Sequence, residues 1–216
     1  NGEFEMAKKI VDGASFAKAD AIKFQKFYAE ELAKKNHKNY KLYTKLEMPL
    51  EKWRELVKYA KSKNLQVYVD IFGEKSLQEM CKIGVNGFKI HSADVSNPNL
   101  LEKVASSGKP ILLSTAGCFT NEIEEAVKIL SKKNAKITLL HGFQGYPTKI
   151  EDLNFLRINE YTKRFQIPVG ISEHVSGSSD VSTIISALAV PLGIKVIEKH
   201  IAFDIDNKPF DYFSAL

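Results

Sequence analysis

Four of the five histidines stand at or just past the ends of short apolar runs typical of β-strands: His91, His141, His174 and His200. If these strands are parallel, their carboxyl ends meet on one face of the sheet and the imidazoles converge there. Imidazole binds divalent metals and transfers protons near neutral pH. His174 and His200 end neighbouring predicted strands, so this pair predicts a metal site, with structural hydrogen bonding at the rim as the alternative. We interpret His91 and His141 as structural and His37, in a lysine-rich loop, as exposed.

Two lysines interrupt apolar strands instead of lying on solvated helices, Lys23 in AIKFQ and Lys89 in GFKIH. A buried ammonium without a partner is costly. Side chains alternate across a strand, so Lys23 and Gln25 face the interior when their apolar neighbours face the helices. Such lysines either bind an anion or pair with a carboxylate, here Glu198. Hydroxyl groups beside them favour phosphate as the anion, and the serines at the strand ends are Ser92, Ser114 and Ser172.

Short apolar strands alternate along the whole chain with segments of helical period. The apolar runs predict strands at residues 20–25, 66–71, 87–91, 110–115, 137–141, 167–172 and 195–200. Nearly continuous apolar strands separated by helices indicate a parallel sheet covered by helices. Seven βα units recur and no G-x-G-x-x-G turn follows an early strand, so we predict a TIM-type (β/α)8 barrel rather than an open Rossmann sheet. The predicted barrel is a single catalytic domain over residues 1–216 that lacks its first strand in this chain.

The helical segments and one long connection complete the predicted architecture. Start signals and the 3.6-residue period predict helices near residues 3–17, 50–62, 76–82, 97–106, 120–133, 149–164 and 179–190. The lysine- and tyrosine-rich connection 28–49 is predicted to be a loop at the carboxyl-terminal rim of the barrel. Loops at that rim commonly carry function.

Composition excludes several classes of protein. With 216 residues, 44% of them hydrophobic, the chain can bury a core and is not a disordered protein. Its two cysteines, Cys81 and Cys118, exclude a disulfide scaffold and fit a reducing compartment, and nothing near Cys118 marks it as an activated nucleophile. No apolar run approaches the roughly 20 residues of a membrane span. The net charge of +5 comes from dispersed lysines with few arginines, which argues against a nucleic-acid partner. Together, these features predict a cytoplasmic protein without nucleic-acid or membrane partners.

A set of short motifs resembles one enzyme family. The chain contains, in order, KFQ at 23–25, FKIHS at 88–92, YPT at 146–148, SEH at 172–174 and EKH at 198–200. This combination resembles the barrel domain of the N-acylneuraminate (sialic acid) synthase family, which also includes synthases of legionaminic and pseudaminic acids. The similarity covers essentially the whole chain.

The resemblance implies a condensation of phosphoenolpyruvate with the open-chain aldehyde of an N-acyl amino sugar similar to N-acetylmannosamine. The products are phosphate and a nine-carbon 2-keto sugar acid. A divalent metal, Mn²⁺ or Mg²⁺, assists, and the resemblance places its ligands at His174 and His200. It implies catalytic roles for Lys23, Lys89, Asp94 and Asp211. It implies substrate contacts for the other matched positions, which are Gln25, Ser92, Ser114, Gln144, Tyr146 and Ser172.

Several positions depart from the family pattern. Asp70 stands where the family usually has a threonine near the phosphate, and a carboxylate there repels phosphate unless Lys23 or Lys89 compensates. Asp94 replaces a glutamate, and Gln144 replaces an asparagine. These departures indicate a divergent member with a different acceptor sugar or donor. Two alternatives stay open: a pyruvate-dependent aldolase on the same barrel, and a sugar-binding module that has lost catalysis.

The family architecture also implies parts that lie outside this sequence. The first barrel strand is expected before residue 1, and a small C-terminal antifreeze-like domain is expected after residue 216. In the family that domain reaches over the barrel of the partner subunit. We therefore expect the full-length protein to be a homodimer whose ligands are phosphoenolpyruvate and an amino sugar.

Overall fold

The computed structural model describes residues 2–203 and 214–215 and arranges them around one parallel β-sheet. Within these residues the sheet has seven strands, which lie side by side in chain order. They are β1 (Ala21–Lys26), β2 (Gln66–Ile71), β3 (Gly87–Ile90), β4 (Ile111–Ser114), β5 (Ile137–His141), β6 (Val169–Glu173) and β7 (Ile197–Lys199). Each of the seven predicted strands is confirmed.

Helices precede, separate and cover these strands. They are α1 (Phe4–Phe16), α2 (Ala29–Leu32), α3 (Tyr40–Leu46), α4 (Leu50–Ser62), α5 (Glu74–Ile83), α6 (Pro98–Ala105), α7 (Thr120–Ser131), α8 (Leu156–Phe165) and α9 (Val181–Ala189). Short 3-10 turns occupy Ser92–Asp94 and Ile150–Asp152. In the part of the chain that is described, none of the helices has the length and apolar character that a bilayer span requires.

Two predictions of secondary structure were wrong. The segment predicted as one helix at 149–164 begins with the 3-10 turn Ile150–Asp152, and α8 begins only at Leu156. Asn154 adopts a left-handed backbone with φ of 41°, which interrupts the helical hydrogen-bond pattern there. The connection 28–49, predicted as a loop, contains the short helices α2 and α3.

The sheet curls, so that strands from both of its edges contribute to one interior. β1 and β7 lie at opposite ends of the strand order, yet Lys23 of β1 and His200, which follows β7, line the same pocket. The apolar core lies between the outer face of the sheet and the helices. This is a barrel-type α/β fold, as predicted, and it directs the carboxyl ends of its strands toward a common mouth.

Strand β2 illustrates how residue alternation separates the two faces of the sheet. Val69 and Ile71 are fully buried in the apolar core. Asp70, between them, faces the interior and lines the pocket. The strand register places Asp70 beside Gln25 of β1 and Lys89 of β3, so three polar side chains stand at one level of the sheet.

A carboxylate from the rim connection holds the start of α5. Glu31 Oε1 accepts a hydrogen bond from the backbone N–H of Ser76 at 3.0 Å, and Oε2 accepts one from the N–H of Tyr28 at 3.1 Å. Gly73, just before α5, leaves the space that this carboxylate fills, because a Cβ there would lie 2.4 Å from Glu31 Oε1. Glu31 thereby ties the connection 28–49 to the body of the fold.

Replacing Glu31 with alanine should lower the free energy of unfolding by about 1–3 kcal/mol, because backbone N–H groups lose their acceptors. Urea denaturation measures this loss. The matched control is Glu30→Ala, which removes an exposed ion pair with Lys75 and should cost less than about 1 kcal/mol. Equal losses in the two variants would show that the contacts of Glu31 are not structural anchors.

Candidate functional site

A polar pocket of about 230 Å³ lies at the carboxyl ends of the strands. Of the predicted site residues that the structure describes, it gathers all except Asp94. Its lining consists of Lys23, Gln25, Asp70, Lys89, His91, Ser92, Ser114, Ala116, Gln144, Tyr146, Ser172, His174 and His200. These side chains come from strands and loops throughout the chain, so curling of the sheet is what assembles the pocket.

Lys89 forms a buried ion pair with Glu198. Pairing with this carboxylate was one of the two alternatives predicted for the lysines that face the interior, the other being anion binding. The Nζ of Lys89 donates to Glu198 Oε1 at 2.5 Å, and the hydroxyl of Ser172 donates to the same oxygen at 2.7 Å. Burial alone would raise the pKa of Glu198, but Lys23, Lys89 and these hydrogen bonds together hold that pKa well below its usual range. Glu198 is therefore ionised at neutral pH.

Lys23 lies beside Asp70, at the position that departs from the family pattern. Its Nζ is 3.5 Å from Asp70 Oδ2, so Lys23 supplies the compensating charge that this position requires. Asp70 is 0% exposed, and neither of its carboxylate oxygens accepts a hydrogen bond from the described residues. Burial raises the pKa of Asp70, while Lys23 and Lys89 oppose that shift.

His174, Glu198 and His200 form a cluster that can hold a metal ion. One ligand atom from each lies within 4.8 Å of the others, and the two imidazole ring centroids are 4.8 Å apart. The Nδ1 of His174 is buried and has no hydrogen-bond partner within the described residues. Burial, together with His200, lowers the pKa of His174 to about 3, so this imidazole is neutral, the form that ligates metals.

Glu198 is the member of this cluster that the sequence analysis did not assign as a ligand. Its Oε1 is engaged by Lys89 and Ser172, whereas its Oε2 is buried without a hydrogen-bond partner among the described residues. One sequence signal could have identified Glu198 as a ligand. It lies two residues before His200 in the predicted strand, and this spacing places both side chains on the same face. Two imidazoles and a carboxylate oxygen are a donor set that suits a divalent cation such as Mn²⁺.

The mouth of the pocket is lined by neutral polar groups. The hydroxyl of Ser92 donates to Gln144 Oε1 at 3.0 Å. The ring of Tyr146 lies edge-on to His174, with centroids 4.6 Å apart, and is 46% exposed. His91 also lines the pocket, although its Nδ1 accepts a hydrogen bond from the N–H of Ala93 at 3.2 Å, in keeping with a structural role.

Two residues that the sequence analysis considered lie elsewhere, and a third is not described. His141 is outside the pocket lining and its Nε2 donates to the carbonyl of Leu153 at 2.8 Å, in keeping with a structural role. Asp94, in the 3-10 turn after β3, is absent from the pocket lining, and its Oδ1 accepts a hydrogen bond from Asn97 Nδ2 at 3.2 Å. Asp211 lies outside the described residues. Catalytic roles for Asp94 and Asp211 therefore stay predictions.

Cys118 should be unreactive in the folded protein. Burial, with Glu122 nearby, raises the pKa of its thiol to about 11, so its thiolate fraction near neutral pH is about 100-fold below that of an unperturbed thiol. Iodoacetamide should alkylate Cys118 about 100-fold more slowly in the native than in the urea-unfolded protein, as measured by mass spectrometry. Native-state modification at the rate of a free thiol would contradict this prediction.

The fold and the pocket define a barrel-type α/β protein with lysines, hydroxyl groups and a cluster that could hold a metal ion at the carboxyl ends of its strands. A comparison with protein families gives the particular assignment. The chain belongs to the NeuB family, whose sequence model matches residues 10–216. The resemblance to sialic acid synthases is thereby confirmed.

Individual relatives agree with this assignment. The chain is 38% identical to an uncharacterized protein of Methanocaldococcus jannaschii, over 94% of this chain and 59% of that protein. It is 34% identical to the N,N'-diacetyllegionaminic acid synthase of Campylobacter jejuni, over 100% of this chain and 68% of that protein. The crystal structure of the N-acetylneuraminic acid (sialic acid) synthetase from Leptospira borgpetersenii superposes with a TM-score of 0.92 at 32% identity, over 100% of this chain and 74% of the other.

Proposed function

We propose that this chain is the barrel domain of a synthase that condenses phosphoenolpyruvate with the open-chain aldehyde of an N-acyl amino sugar. The products are a nine-carbon 2-keto sugar acid and phosphate. The observation that carries the proposal is the pocket itself, in which Lys23, Lys89 and hydroxyl groups face the cluster of His174, Glu198 and His200. The names of the synthases that this chain resembles support the same reaction class.

The lysine side of the pocket is the proposed donor site. The ammonium groups of Lys23 and Lys89 bind the phosphate and carboxylate of phosphoenolpyruvate. The hydroxyl groups of Ser92, Ser114 and Ser172 orient these anionic groups. Each hydroxyl donates a single hydrogen bond, so Ser92 and Ser172, which donate to Gln144 and Glu198 in this structure, have to exchange that acceptor for an oxygen of the donor. Glu198 holds the ammonium group of Lys89 in place through one hydrogen bond, and the other N–H groups of that ammonium can still donate to the substrate.

The cluster of His174, Glu198 and His200 is the proposed metal site. Its residues fit a divalent cation, because one imidazole nitrogen and one carboxylate oxygen are buried without protein partners among the described residues. When bound there, Mn²⁺ or Mg²⁺ supplies Lewis-acid polarisation of the acceptor aldehyde. Mn²⁺ suits the two imidazoles better than Mg²⁺, which prefers oxygen ligands.

The remaining groups bind the acceptor and move protons. Gln25, Gln144 and Tyr146 line the pocket with neutral hydrogen-bonding groups that suit sugar hydroxyl and amide groups. In the reaction, the methylene carbon of phosphoenolpyruvate forms a bond to the aldehyde carbon, water adds at the enol carbon, and the C–O bond to phosphate breaks. We assign proton transfer with this water to Asp94 or Asp211.

The proposal extends to the longer protein. The chain spans 59% and 68% of the two relatives described above, so both of those proteins are longer than the barrel described for this chain. We propose a cytoplasmic homodimer whose ligands are small molecules, without nucleic-acid or membrane partners.

Phosphate release tests the proposed reaction. The full-length protein is incubated with phosphoenolpyruvate, Mn²⁺ and a panel of N-acyl amino sugars, and free phosphate is measured with each acceptor. Release that depends on one acceptor supports the synthase, and absence of release with every acceptor contradicts it. A product formed from pyruvate in place of phosphoenolpyruvate would instead favour the aldolase, and sugar binding without turnover would favour the non-catalytic module.

A further inference from the structure

The pocket contains two buried ion pairs, and in each of them the charge of a lysine is balanced by that of a carboxylate. Lys89 pairs with Glu198 at 2.5 Å, and Lys23 pairs with Asp70 at 3.5 Å. When all four groups are ionised, this part of the pocket carries no net side-chain charge. An entering anion therefore does not meet an excess of positive charge, and it has to draw a lysine away from its carboxylate partner.

The pair of Lys23 and Asp70 is the looser of the two. Glu198 is held through Oε1 by both Lys89 and Ser172, at hydrogen-bonding distances. The separation of 3.5 Å between Lys23 and Asp70 is longer than a normal hydrogen bond, and no described residue donates a hydrogen bond to Asp70. Of the two ion pairs, that of Lys23 and Asp70 is therefore the one that an anion separates at the lower cost.

We propose that Asp70 takes up one proton from solvent when a phosphate-bearing anion binds to Lys23, so that donor binding is coupled to protonation of this carboxyl group. The inference rests on the proposed function in one respect, namely that the pocket binds phosphoenolpyruvate or a similar ligand that carries a phosphate group. A fully buried carboxylate beside a phosphate dianion is strongly disfavoured. The neutral carboxyl group instead donates a hydrogen bond to a phosphate oxygen, which converts repulsion into attraction.

The groups that face Asp70 give the direction of the effect. Burial raises the pKa of Asp70, Lys23 and Lys89 lower it, Glu198 raises it and His91 lowers it. A bound phosphate offsets the charge of Lys23 and so raises the pKa of Asp70 further. A group whose pKa rises on ligand binding takes up a proton, and the ligand then binds more weakly as the pH rises.

Isothermal titration calorimetry in buffers of different ionisation enthalpy tests the coupling. Phosphoenolpyruvate is titrated into the protein saturated with Mn²⁺ at about pH 8, where a phosphate group with a second pKa near 6 stays dianionic and contributes little proton exchange. For the wild type we expect a buffer-dependent heat equivalent to as much as one proton per ligand. We also expect Kd to rise by up to about tenfold per pH unit.

Asp70→Asn should remove both the buffer-dependent heat and the pH dependence of Kd. The matched control is Asp12→Asn, which removes an exposed carboxylate that contacts Tyr59 and Lys63 on the outer surface, and it should keep both. If Asp70→Asn does not fold, Asp70→Thr is measured in its place, since a threonine also lacks an ionisable group.

The outcomes separate this inference from the proposed function. Binding with the same heat in every buffer overturns the inference and leaves the proposed function standing. Proton uptake that persists without Asp70 assigns the proton to another group and also overturns the inference. Failure of phosphoenolpyruvate to bind the wild type at any pH overturns the proposed function, and with it the inference.

Discussion

Mn²⁺ is expected to bind the His174→Ala variant at least about 100-fold more weakly than the wild-type protein. His174 supplies one of the two imidazoles in the cluster, and its buried Nδ1 has no protein partner among the described residues. Because burial keeps this imidazole neutral at physiological pH, no proton competes with the metal for it. The electron paramagnetic resonance signal of free Mn²⁺, recorded during a titration, measures the affinity.

Two further variants make the Mn²⁺ titration specific to the cluster. His200→Ala should weaken Mn²⁺ binding to a similar degree, because the ligand atoms of the cluster lie within 4.8 Å of one another. His37→Ala should bind Mn²⁺ like the wild type, since His37 is exposed and stacks on Tyr43, outside the pocket. Wild-type Mn²⁺ affinity in His174→Ala would remove the main support for a metal-assisted synthase.

Replacing Lys89 with methionine is expected to lower the free energy of unfolding by about 3–5 kcal/mol. The reason is that Lys89 and Glu198 form a buried pair at 2.5 Å, and removal of Lys89 leaves the buried charge of Glu198 without its direct ion-pair partner, with only Lys23 and the hydroxyl of Ser172 to offset it. The same variant should bind phosphoenolpyruvate at least about 100-fold more weakly, because a charge-assisted contact with the donor is lost. Urea denaturation measures the first effect and calorimetric titration the second.

A double variant separates the structural from the functional effect of Lys89. Lys89→Met combined with Glu198→Gln should regain much of the lost stability, since no unpaired charge remains, while phosphoenolpyruvate binding stays weak. The surface control is Lys103→Met, which breaks an exposed ion pair with Glu74 and should cost less than about 1 kcal/mol. Full recovery of phosphoenolpyruvate binding in the double variant would show that Lys89 only compensates Glu198.

Much of the fold followed from local patterns in the sequence. The seven strands were predictable because each is a short apolar run between helical segments, and both properties depend on neighbouring residues alone. The helix predicted at 149–164 failed at its start because a left-handed backbone at Asn154 leaves no sequence signal as strong as a glycine or proline. Residues at the carboxyl ends of the strands were expected to converge, and most of the predicted site residues line one pocket.

The sequence by itself thus determined which side chains face the interior, because strand alternation has a period of two residues. Only the tertiary structure decided which of them meet. Lys89 and Glu198 are 109 positions apart and lie on β3 and β7, so their pairing depends on the curl of the whole sheet. Lys23 and Asp70 lie on adjacent strands, and their pairing depends on the register of β1 and β2. The register of β6 and β7 brings Glu198 beside His174, and the two ion pairs give the pocket balanced charge where the sequence left anion binding and carboxylate pairing open as alternatives. Distances of this kind are set by packing across the barrel, which local residue patterns do not encode.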